Sequence, residues 1–228
     1  EANRASGMKR MLKAVHEYQP DIIYLRFGLY SYPLHEIHKI APVVVDTNSN
    51  DVDEYRKKSI FFYWLNRLTR NLTFGPAAGV VSPSHELVDI LVPRHDKPVC
   101  VVANGVDLTD VEILPAPKNT YPVLTLVGTP GMSWHGVDKL IEFAKRYPEI
   151  TINIVGYGPG DVDGDVPANV KLHGFLNSQQ VKDVLAGTDV ACGTLAFHRN
   201  KMHEASALKV REALTFGIPV LIAFRDTD

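Results

Sequence analysis

The chain has 228 residues, of which 24 are basic and 26 acidic, so its formal net charge is −2. This length fits one large domain or two small ones, and 45% apolar residues allow a sizeable core. The near-neutral balance argues against nucleic-acid-binding proteins, whose domains carry a basic excess, and no run approaches the roughly 20 apolar residues of a membrane span.

Short apolar runs alternate with longer amphipathic stretches along the chain. The pattern predicts helices near 4–18, 51–74, 84–92, 136–147, 178–187 and 206–216. It predicts strands within 21–27, 42–47, 78–84, 99–105, 122–128, 151–158, 170–175, 189–195 and 219–223. Most of these runs are apolar throughout, which is typical of parallel strands covered by helices on both faces. The alternation predicts an α/β architecture of doubly wound, Rossmann-like units.

One stretch, 107–122, breaks this alternation. It contains prolines, has no clear period and follows the turn-like pair Asn104-Gly105. We interpret it as a linker between two α/β domains, at 1–107 and 108–228. A cleft between two such domains is a favoured place for a ligand.

Both ends of the sequence are expected to be interior to a longer chain. Residues 1–21 resemble a mid-domain helix without the basic and apolar regions of a signal peptide, and the last residues follow a buried strand directly. Cys100 and Cys192 lie in strand-like runs, where they are interpreted as small buried apolar side chains rather than a disulfide or metal pair. This usage favours a reducing compartment.

The segment HEASALKVREALTFGIPVLI contains the first candidate site. Its helix is predicted to begin near Ser206, and Lys209 and Arg211 near that start oppose the helix dipole. A helix N-terminus offers unpaired amides to a phosphate, and Lys209 would add a charge. Glu204 and Glu212 would accept hydrogen bonds from sugar hydroxyls. From spacing alone a solvated amphipathic helix is the simpler interpretation, since each exposed dipole mismatch costs only roughly 0.3–1 kcal/mol.

The loop in VGTPGMSWHGVDKL is a second candidate. A strand ends at Gly128 and a helix starts near Gly136, a geometry that presents backbone amides to phosphate. No Walker lysine and no dinucleotide fingerprint follow. Trp134 and His135 would line a cleft at the end of the loop. The alternative is a flexible connection with Trp134 packed as a cover.

A third candidate is the glycine- and aspartate-rich loop GYGPGDVDGD. A strand follows it instead of a helix, so it fails the context of the dinucleotide fingerprint. Asp161, Asp163 and Asp165 alternate as in a calcium loop, but the required glycine is missing, and a solvated acidic loop is preferred. Gly156 and Gly158 would still let a ligand approach the backbone.

Polar residues also follow the second predicted strand, in DTNSNDVDEY. Asp46, Asn48 and Asp51 are candidate ligand contacts, because α/β sheets bind ligands at the carboxyl ends of their strands. Capping of the next helix explains Asn50 or Asp51 equally well. No metal-ligand spacing of the HExxH kind occurs, so no metal site is predicted.

Together these segments resemble the retaining glycosyltransferases of family 4, which have the GT-B fold of two Rossmann-like domains. Glu204 and Glu212 match the family's E-x7-E motif, and ALTFGIPVLI resembles the segment that follows it. VVANGVD resembles the passage between the domains, and TINIVGYGP the glycine turn before the sugar-nucleotide cleft. WHGVDKL and EASALKVRE are similar to a subgroup active in polysaccharide or glycoconjugate assembly. The resemblance covers nearly the whole chain, most strongly 99–222.

The resemblance implies roles for individual residues. Glu204 would be catalytic, contacting the transferred sugar or supporting charge near the reacting carbon, and Glu212 would bind the donor ribose. Lys209 and the backbone just before it would hold the diphosphate. The implied donor-binding residues are Glu212, Lys209, Ser206, Ala207, Leu208, Gly128, Thr129, His135, Gly156 and Gly158. The implied acceptor-side residues are Asn48 and Asp46.

The sequence departs from the family's pattern at three places. Where members commonly have an arginine and a Lys-Gly pair for the phosphates, this chain has Thr129 and His135-Gly136. Either Lys209 supplies that charge instead, or phosphate binding is weakened. The histidine of the family's N-terminal domain falls near Asn48.

The resemblance implies transfer of a sugar, with retention, from a nucleotide-sugar to a glycan, lipid-linked or other acceptor. It implies no cofactor and no obligatory metal, and no nucleic-acid partner. A cytoplasmic location is expected, and peripheral contact with the inner face of the membrane stays open. Two rival interpretations stay open. One is a non-catalytic, hinged two-domain sugar-binding protein, and the other is a GT-B nucleotide-sugar epimerase.

Overall fold

The computed structural model describes residues 2–92, 97–109 and 111–227. The chain divides into two compact units, Glu1–Ala103 (unit 1) and Asn104–Asp228 (unit 2), whereas the sequence predicted a boundary after residue 107. Each unit has a parallel sheet flanked by helices, which confirms the predicted α/β class. Among the described residues, no helix combines the length and apolarity needed to cross a membrane.

Unit 1 is built on four parallel strands that lie side by side in chain order. They are β1 (Ile23–Arg26), β2 (Val43–Asp46), β3 (Gly79–Ser82) and β4 (Val99–Val101). Its helices are α1 (Ala2–Tyr18), α2 (Asp51–Lys58), α3 (Ile60–Thr69), α4 (Asn71–Phe74) and α5 (His85–Leu91), with a 3-10 helix at Leu34–Lys39. The core of this unit includes Val43, Val45, Val80, Phe74 and Leu87, which are almost fully buried.

The helix predicted over 51–74 is three helices, and the first break, between α2 and α3, falls at Ser59. Ser59 has an extended backbone (φ −170°), and its hydroxyl accepts a hydrogen bond from the Phe61 N–H. Ser59 therefore ends α2 and caps α3, the usual role of serine at a helix N-terminus. Asn50 caps α2 in the same way by accepting a bond from the Asp53 N–H.

Unit 2 contains a five-stranded parallel sheet and a separate parallel pair of short strands. The strands are β5 (Val123–Val127), β6 (Thr151–Val155), β7 (Val170–Gly174), β8 (Val190–Cys192), β9 (Glu204–Ala205), β10 (Val220–Leu221) and β11 (Arg225–Asp226). The sheet order is β10-β8-β5-β6-β7, and β11 pairs with β9. The strand order reverses at β5, as in doubly wound folds.

The helices of unit 2 are α6 (Val137–Arg146), α7 (Ser178–Ala186) and α8 (Leu208–Thr215). Short 3-10 helices lie at Ser133–His135, Pro159–Asp161 and Phe197–Asn200. The predicted capping box of α7 is confirmed, because Asn177 and Gln180 exchange reciprocal hydrogen bonds. Gly217 ends α8 with φ +77°, a left-handed conformation that favours glycine.

The stretch interpreted as a linker packs on unit 2. The Leu114 N–H donates to the Phe216 carbonyl (3.0 Å), and the Leu114 side chain lies against the cluster of Leu185, Ala213 and Ile218. Its prolines give it no regular period, yet it covers the end of α8. This part of the chain therefore belongs to the surface of unit 2.

Candidate functional site

The candidate site in unit 2 is centred on the start of α8. The helix begins at Leu208, two residues later than predicted, and Ala207 before it is extended (φ −84°, ψ 118°). The Val210 and Arg211 N–H groups bond to the Ala207 carbonyl. The amides that precede Val210 in the first turn have no intrahelical acceptor, as at any helix N-terminus, so this turn presents donors to a ligand.

Arg211 does not leave an uncompensated charge at this helix start. Its two terminal nitrogens donate to the Asp226 carboxylate at 2.8 and 2.5 Å, and one also donates to the Ser206 hydroxyl at 3.3 Å. Both charged side chains are largely buried. Arg211 thus ties β11 to the turn before α8, and the bidentate pair removes the conflict with the dipole.

Ser206 is held firmly in that turn. It is 6% exposed, and its hydroxyl oxygen accepts a bond from the Asn104 N–H at 2.7 Å. The Asn104 amide also donates to the Ser206 carbonyl at 2.5 Å. With two bonds accepted, the Ser206 hydroxyl still has its own hydrogen to donate. The turn is therefore fixed by groups that leave one donor for an anion.

Glu204 lies in β9, directly before this turn, and is 5% exposed. The parallel pairing places Arg225 of β11 opposite it, and a guanidinium nitrogen lies 3.3 Å from its carboxylate. The Arg225 side chain is 76% exposed. The pairing with Arg225 therefore fixes the position of the buried Glu204 carboxylate.

Lys209 and Glu212 stand on the open side of α8. Both side chains are exposed, and no carboxylate of the described residues lies within ion-pairing distance of the Lys209 ammonium. Surrounding protein lowers the pKa of Lys209 by desolvation, while the charge of Glu212 raises it. Lys209 is thus a cation held beside a helix N-terminus without a protein counter-ion.

His135 lies close to Lys209 but cannot share its role as a cation. Burial lowers the pKa of His135 to about 4, and the Lys209 charge acts in the same direction. The Tyr157 hydroxyl donates to the Thr129 carbonyl (2.7 Å), and its oxygen lies 2.9 Å from Nδ1 of His135, to which the Thr129 N–H also donates (3.4 Å). His135 is therefore neutral near pH 7 and ties the loop after β5 to Tyr157.

The glycines of the two loops are required by close packing. A side chain at Gly128 would meet the Tyr157 ring and the His135 imidazole at 2.6 and 2.9 Å. Gly156 has φ +92°, and a side chain there would collide with the Gly128 carbonyl. The Gly156 and Gly158 N–H groups already donate to Gly174 and Asp161. A ligand would therefore contact these two glycines through their Cα and carbonyl groups.

Two of the concave surfaces of unit 2 bear on the candidate site. A cavity of about 520 Å³ opens between α6, residues 131–133 and residues 161–163, and Tyr157 forms part of its wall. The cavity beside Lys209 and Glu212 holds only about 30 Å³. Unit 2 by itself therefore presents these two side chains on an open surface.

The two predicted acceptor-side residues lie at the end of β2 in unit 1. Asp46 is half-buried, and Asn48 is exposed in the turn before α2. Burial raises the pKa of the Tyr24 hydroxyl, and Asp46 adds to this shift through its charge and a hydrogen bond. Asp46 thus already has a protein partner, whereas Asn48 is open to solvent.

The sequence did not identify four side chains that position this site. They are Asn104, Tyr157, Arg225 and Asp226. Asn104 was visible only as part of a turn, and Tyr157 only as a residue within a glycine loop. Arg225 and Asp226 carry no motif at all. The contacts of these four residues become visible only in the folded structure.

The neutral state of His135 predicts a specific acid sensitivity. The pKa of His135 is lower in the folded chain than in the unfolded chain. As the pH is lowered from 6.5 to 4, the unfolded chain binds a proton that the folded chain does not, so the free energy of unfolding decreases. We expect a loss on the order of 3 kcal/mol, measured by urea unfolding at several pH values. His135→Gln is expected to be less stable at pH 7 but to lose less on acidification. The exposed His198→Gln should behave like the unaltered chain, and parallel curves for all three would refute the assignment.

Comparisons with known proteins agree with this fold. Residues 2–110 match the family model Glycosyltransferase Family 4. No curated protein sequence matches the chain. TarM is 16% identical with a TM-score of 0.65, and covers 94% of this chain and 44% of its own. Sucrose-phosphate synthase from Thermosynechococcus elongatus is 14% identical with a TM-score of 0.63, and the shares covered are 94% and 60%.

Anabaena HepE, solved in complex with UDP and glucose, is 18% identical with a TM-score of 0.65. The match covers 94% of this chain and 61% of HepE. The chain thus spans between 44% and 61% of the length of these three structures. Residues 2–110 thus match a family 4 model, as the resemblance implied for that part, and the solved structures show the GT-B fold, which confirms the predicted fold class.

Proposed function

We propose that the protein is a retaining glycosyltransferase (EC 2.4) that moves a sugar from a nucleotide-sugar donor to a carbohydrate or lipid-linked acceptor. The observation that carries the proposal is the start of α8, where no carboxylate of the described residues forms an ion pair with Lys209 and Glu212 stands one turn further on. A cation beside free helix amides is suited to a diphosphate. The HepE structure, solved with UDP and glucose, supports this ligand class.

The transfer breaks the bond between the anomeric carbon and the diphosphate oxygen. Negative charge develops on the leaving nucleoside diphosphate, where Lys209, the first amides of α8 and the Ser206 hydroxyl would stabilise it. Positive charge develops at the anomeric carbon, where the buried Glu204 carboxylate would support it. Glu212 would accept hydrogen bonds from the donor ribose. Because protein groups offset the charge of the leaving group, we expect no obligatory metal.

Because this chain departs from the family's phosphate-binding pattern, Lys209 would be more important for binding the diphosphate. His135 stands in place of a cationic lysine but is neutral, and Thr129 contributes only backbone groups to the loop. Of the two alternatives, compensation by Lys209 is the one we propose. The acceptor side would include Asp46 and Asn48.

We also propose that the protein works in the cytoplasm, in polysaccharide or glycoconjugate assembly, with peripheral membrane contact. Cys100 and Cys192 form no disulfide, which suits a reducing compartment. The membrane contact is proposed because a lipid-linked acceptor would be presented at a bilayer.

Donor binding tests the proposal directly. In calorimetric titrations with UDP-, GDP- and ADP-sugars, one donor is expected to saturate the protein. Lys209→Ala and Glu212→Ala should each weaken binding about 10- to 100-fold, because each removes a hydrogen bond to a charged or polar group of the donor.

The exposed Lys171→Ala and Glu149→Ala are matched controls on the surface of unit 2 and should bind normally. Absence of saturation with all three donor classes would overturn the proposal. Equal weakening by the controls would show that overall charge, rather than this site, determines the affinity.

A further inference from the structure

Helix α3 in unit 1 presents its apolar side to solvent. Ile60, Phe61, Trp64 and Leu68 are 66%, 59%, 56% and 76% exposed. At 100° per residue these four positions share one side of the helix, which we call the outer face of α3. Leu72, in α4, adds a further exposed apolar side chain. Single exposed apolar residues are common, but a contiguous group of this size marks an interaction surface.

The opposite side of α3 is polar and buried. Asn66 is 1% exposed and Arg70, which follows the helix, is 5% exposed. Asn66 donates to Asp51 (2.6 Å) and accepts from Arg70 (3.1 Å), and Arg70 also donates to the Leu91 carbonyl (3.1 Å). These bonds fix the rotation of the helix. The apolar outer face is therefore held in solvent, while the polar side chains of Asn66 and Arg70 lie inside.

Exposed cations lie next to the outer face. Arg56, Lys57 and Lys58 end α2, and Arg67 lies on α3 between Trp64 and Leu68. The acidic side chains Asp51 and Asp53 of α2 are buried. The exposed charge around the outer face is thus predominantly positive.

We infer that the outer face of α3 docks on an anionic phospholipid surface. Tryptophan and phenylalanine prefer the membrane–water interface, leucine and isoleucine enter the acyl boundary, and neighbouring arginines and lysines meet anionic headgroups. The long stems of Arg56, Lys58 and Arg67 suit this depth, because they reach headgroups while the rings lie deeper. The outer face of α3 and the cations of α2 and α3 together supply both attractive contributions to interfacial binding.

A second copy of the chain fits this face less well. A symmetric pairing of two outer faces would bring two copies of Arg67 and of the basic end of α2 into one interface. That arrangement accumulates like charge around the apolar contact. An anionic lipid surface offsets the charge instead.

The inference assigns a surface to the peripheral membrane contact proposed above. Only the biological reason for docking rests on the proposed function. The geometry lies wholly in unit 1, whereas donor binding is assigned to unit 2. Docking can therefore fail while donor binding succeeds, and the reverse, so each proposal has its own outcome.

Vesicle binding tests the inference. The chain has two tryptophans, so a Trp134→Phe variant reports Trp64 alone. With vesicles of phosphatidylcholine and phosphatidylglycerol, Trp64 emission is expected to shift to the blue and to be quenched by brominated acyl chains. Pure phosphatidylcholine should bind at least 10-fold more weakly.

Two variants separate the two attractive contributions. Ile60→Ser with Leu68→Ser should lower partitioning at least 10-fold on both kinds of vesicle. Lys58→Gln with Arg67→Gln should abolish only the preference for phosphatidylglycerol. Phe175→Ser, at an equally exposed apolar residue of unit 2 (91% exposed), is the matched control and should bind as the unaltered chain does. Circular dichroism and donor titration check that each variant is folded.

Three results would overturn the inference. One is the absence of partitioning by the unaltered chain, and another is equal loss in the Phe175→Ser control. The third is concentration-dependent burial of Trp64 without vesicles, which would identify a second copy as the occupant. If the unaltered chain bound no nucleotide-sugar, that result would contradict the proposed function but not the docking of α3 on a membrane.

Discussion

Replacing Glu204 with glutamine is expected to lower kcat for sugar transfer by about 10²–10³-fold, with little change in donor affinity. The amide keeps the volume of the side chain but removes the charge, and Glu204 is buried where solvent cannot replace it. The charge matters most when the anomeric carbon becomes positive, so the loss falls on kcat. Initial rates of donor consumption and a donor titration on the same preparation measure the two quantities.

Two control variants distinguish a chemical role from a structural one. Glu149→Gln changes an exposed glutamate elsewhere in unit 2 and should leave kcat unaltered. Arg225→Gln removes the cation that pairs with Glu204 but keeps the carboxylate, and a smaller loss is expected. If Arg225→Gln were as damaging as Glu204→Gln, the β9–β11 pairing would explain both, and Glu204 would have no separate part in the reaction.

Local sequence patterns were sufficient to predict the main strands of both sheets. Each of the nine predicted apolar runs contains a strand, from β1 at Ile23–Arg26 to β10 at Val220–Leu221. Buried parallel strands leave continuous apolar runs, a signal that needs no knowledge of distant residues. The two-residue strands β9 and β11 were not predicted, because Glu204–Ala205 and Arg225–Asp226 are too short and polar to show a period.

The contacts of the candidate site depend on pairings that helical spacing does not reveal. Arg211 was recognised as a charge opposed to the dipole, but its partner Asp226 lies fifteen residues further on. Only residues three or four apart meet on a helix, so this pair appears only when β11 folds back beside β9. Lys209 belongs to the same helix and has no such partner. The sequence could not distinguish the compensated cation from the available one.

The loop after β5 shows the same limit. Gly128 and His135 were proposed as ligand contacts because they lie in a loop between a strand and a helix. In the structure, His135 is buried against Tyr157, and the Tyr157 ring occupies the space beside Gly128. Tyr157 comes from the end of β6, the neighbouring strand, so its effect on this loop follows from sheet order and not from local sequence.

Replacing Arg70 with leucine is expected to lower the free energy of unfolding by about 3–5 kcal/mol. Arg70 neutralises Asp51 at 3.6 Å inside unit 1, and its guanidinium lies beside the rings of Phe27 and Phe74. Burial already raises the pKa of Asp51, and the charge of Arg70 opposes that rise. Without Arg70 a buried carboxylate loses its counter-ion. Urea unfolding at pH 7 measures the loss.

The pH dependence and a second substitution identify the cause of this loss. A carboxyl whose pKa is raised in the folded state favours folding as the pH falls, so the deficit of Arg70→Leu should shrink in acid. Adding Asp51→Asn should restore part of the stability at pH 7, because a neutral amide needs no counter-ion. Arg67→Leu, on the exposed side of α3, should change stability by less than about 0.5 kcal/mol. A deficit independent of both pH and Asp51→Asn would mean that Arg70 acts by packing against the two phenylalanine rings, and that the buried ion pair does not determine which side of α3 faces solvent.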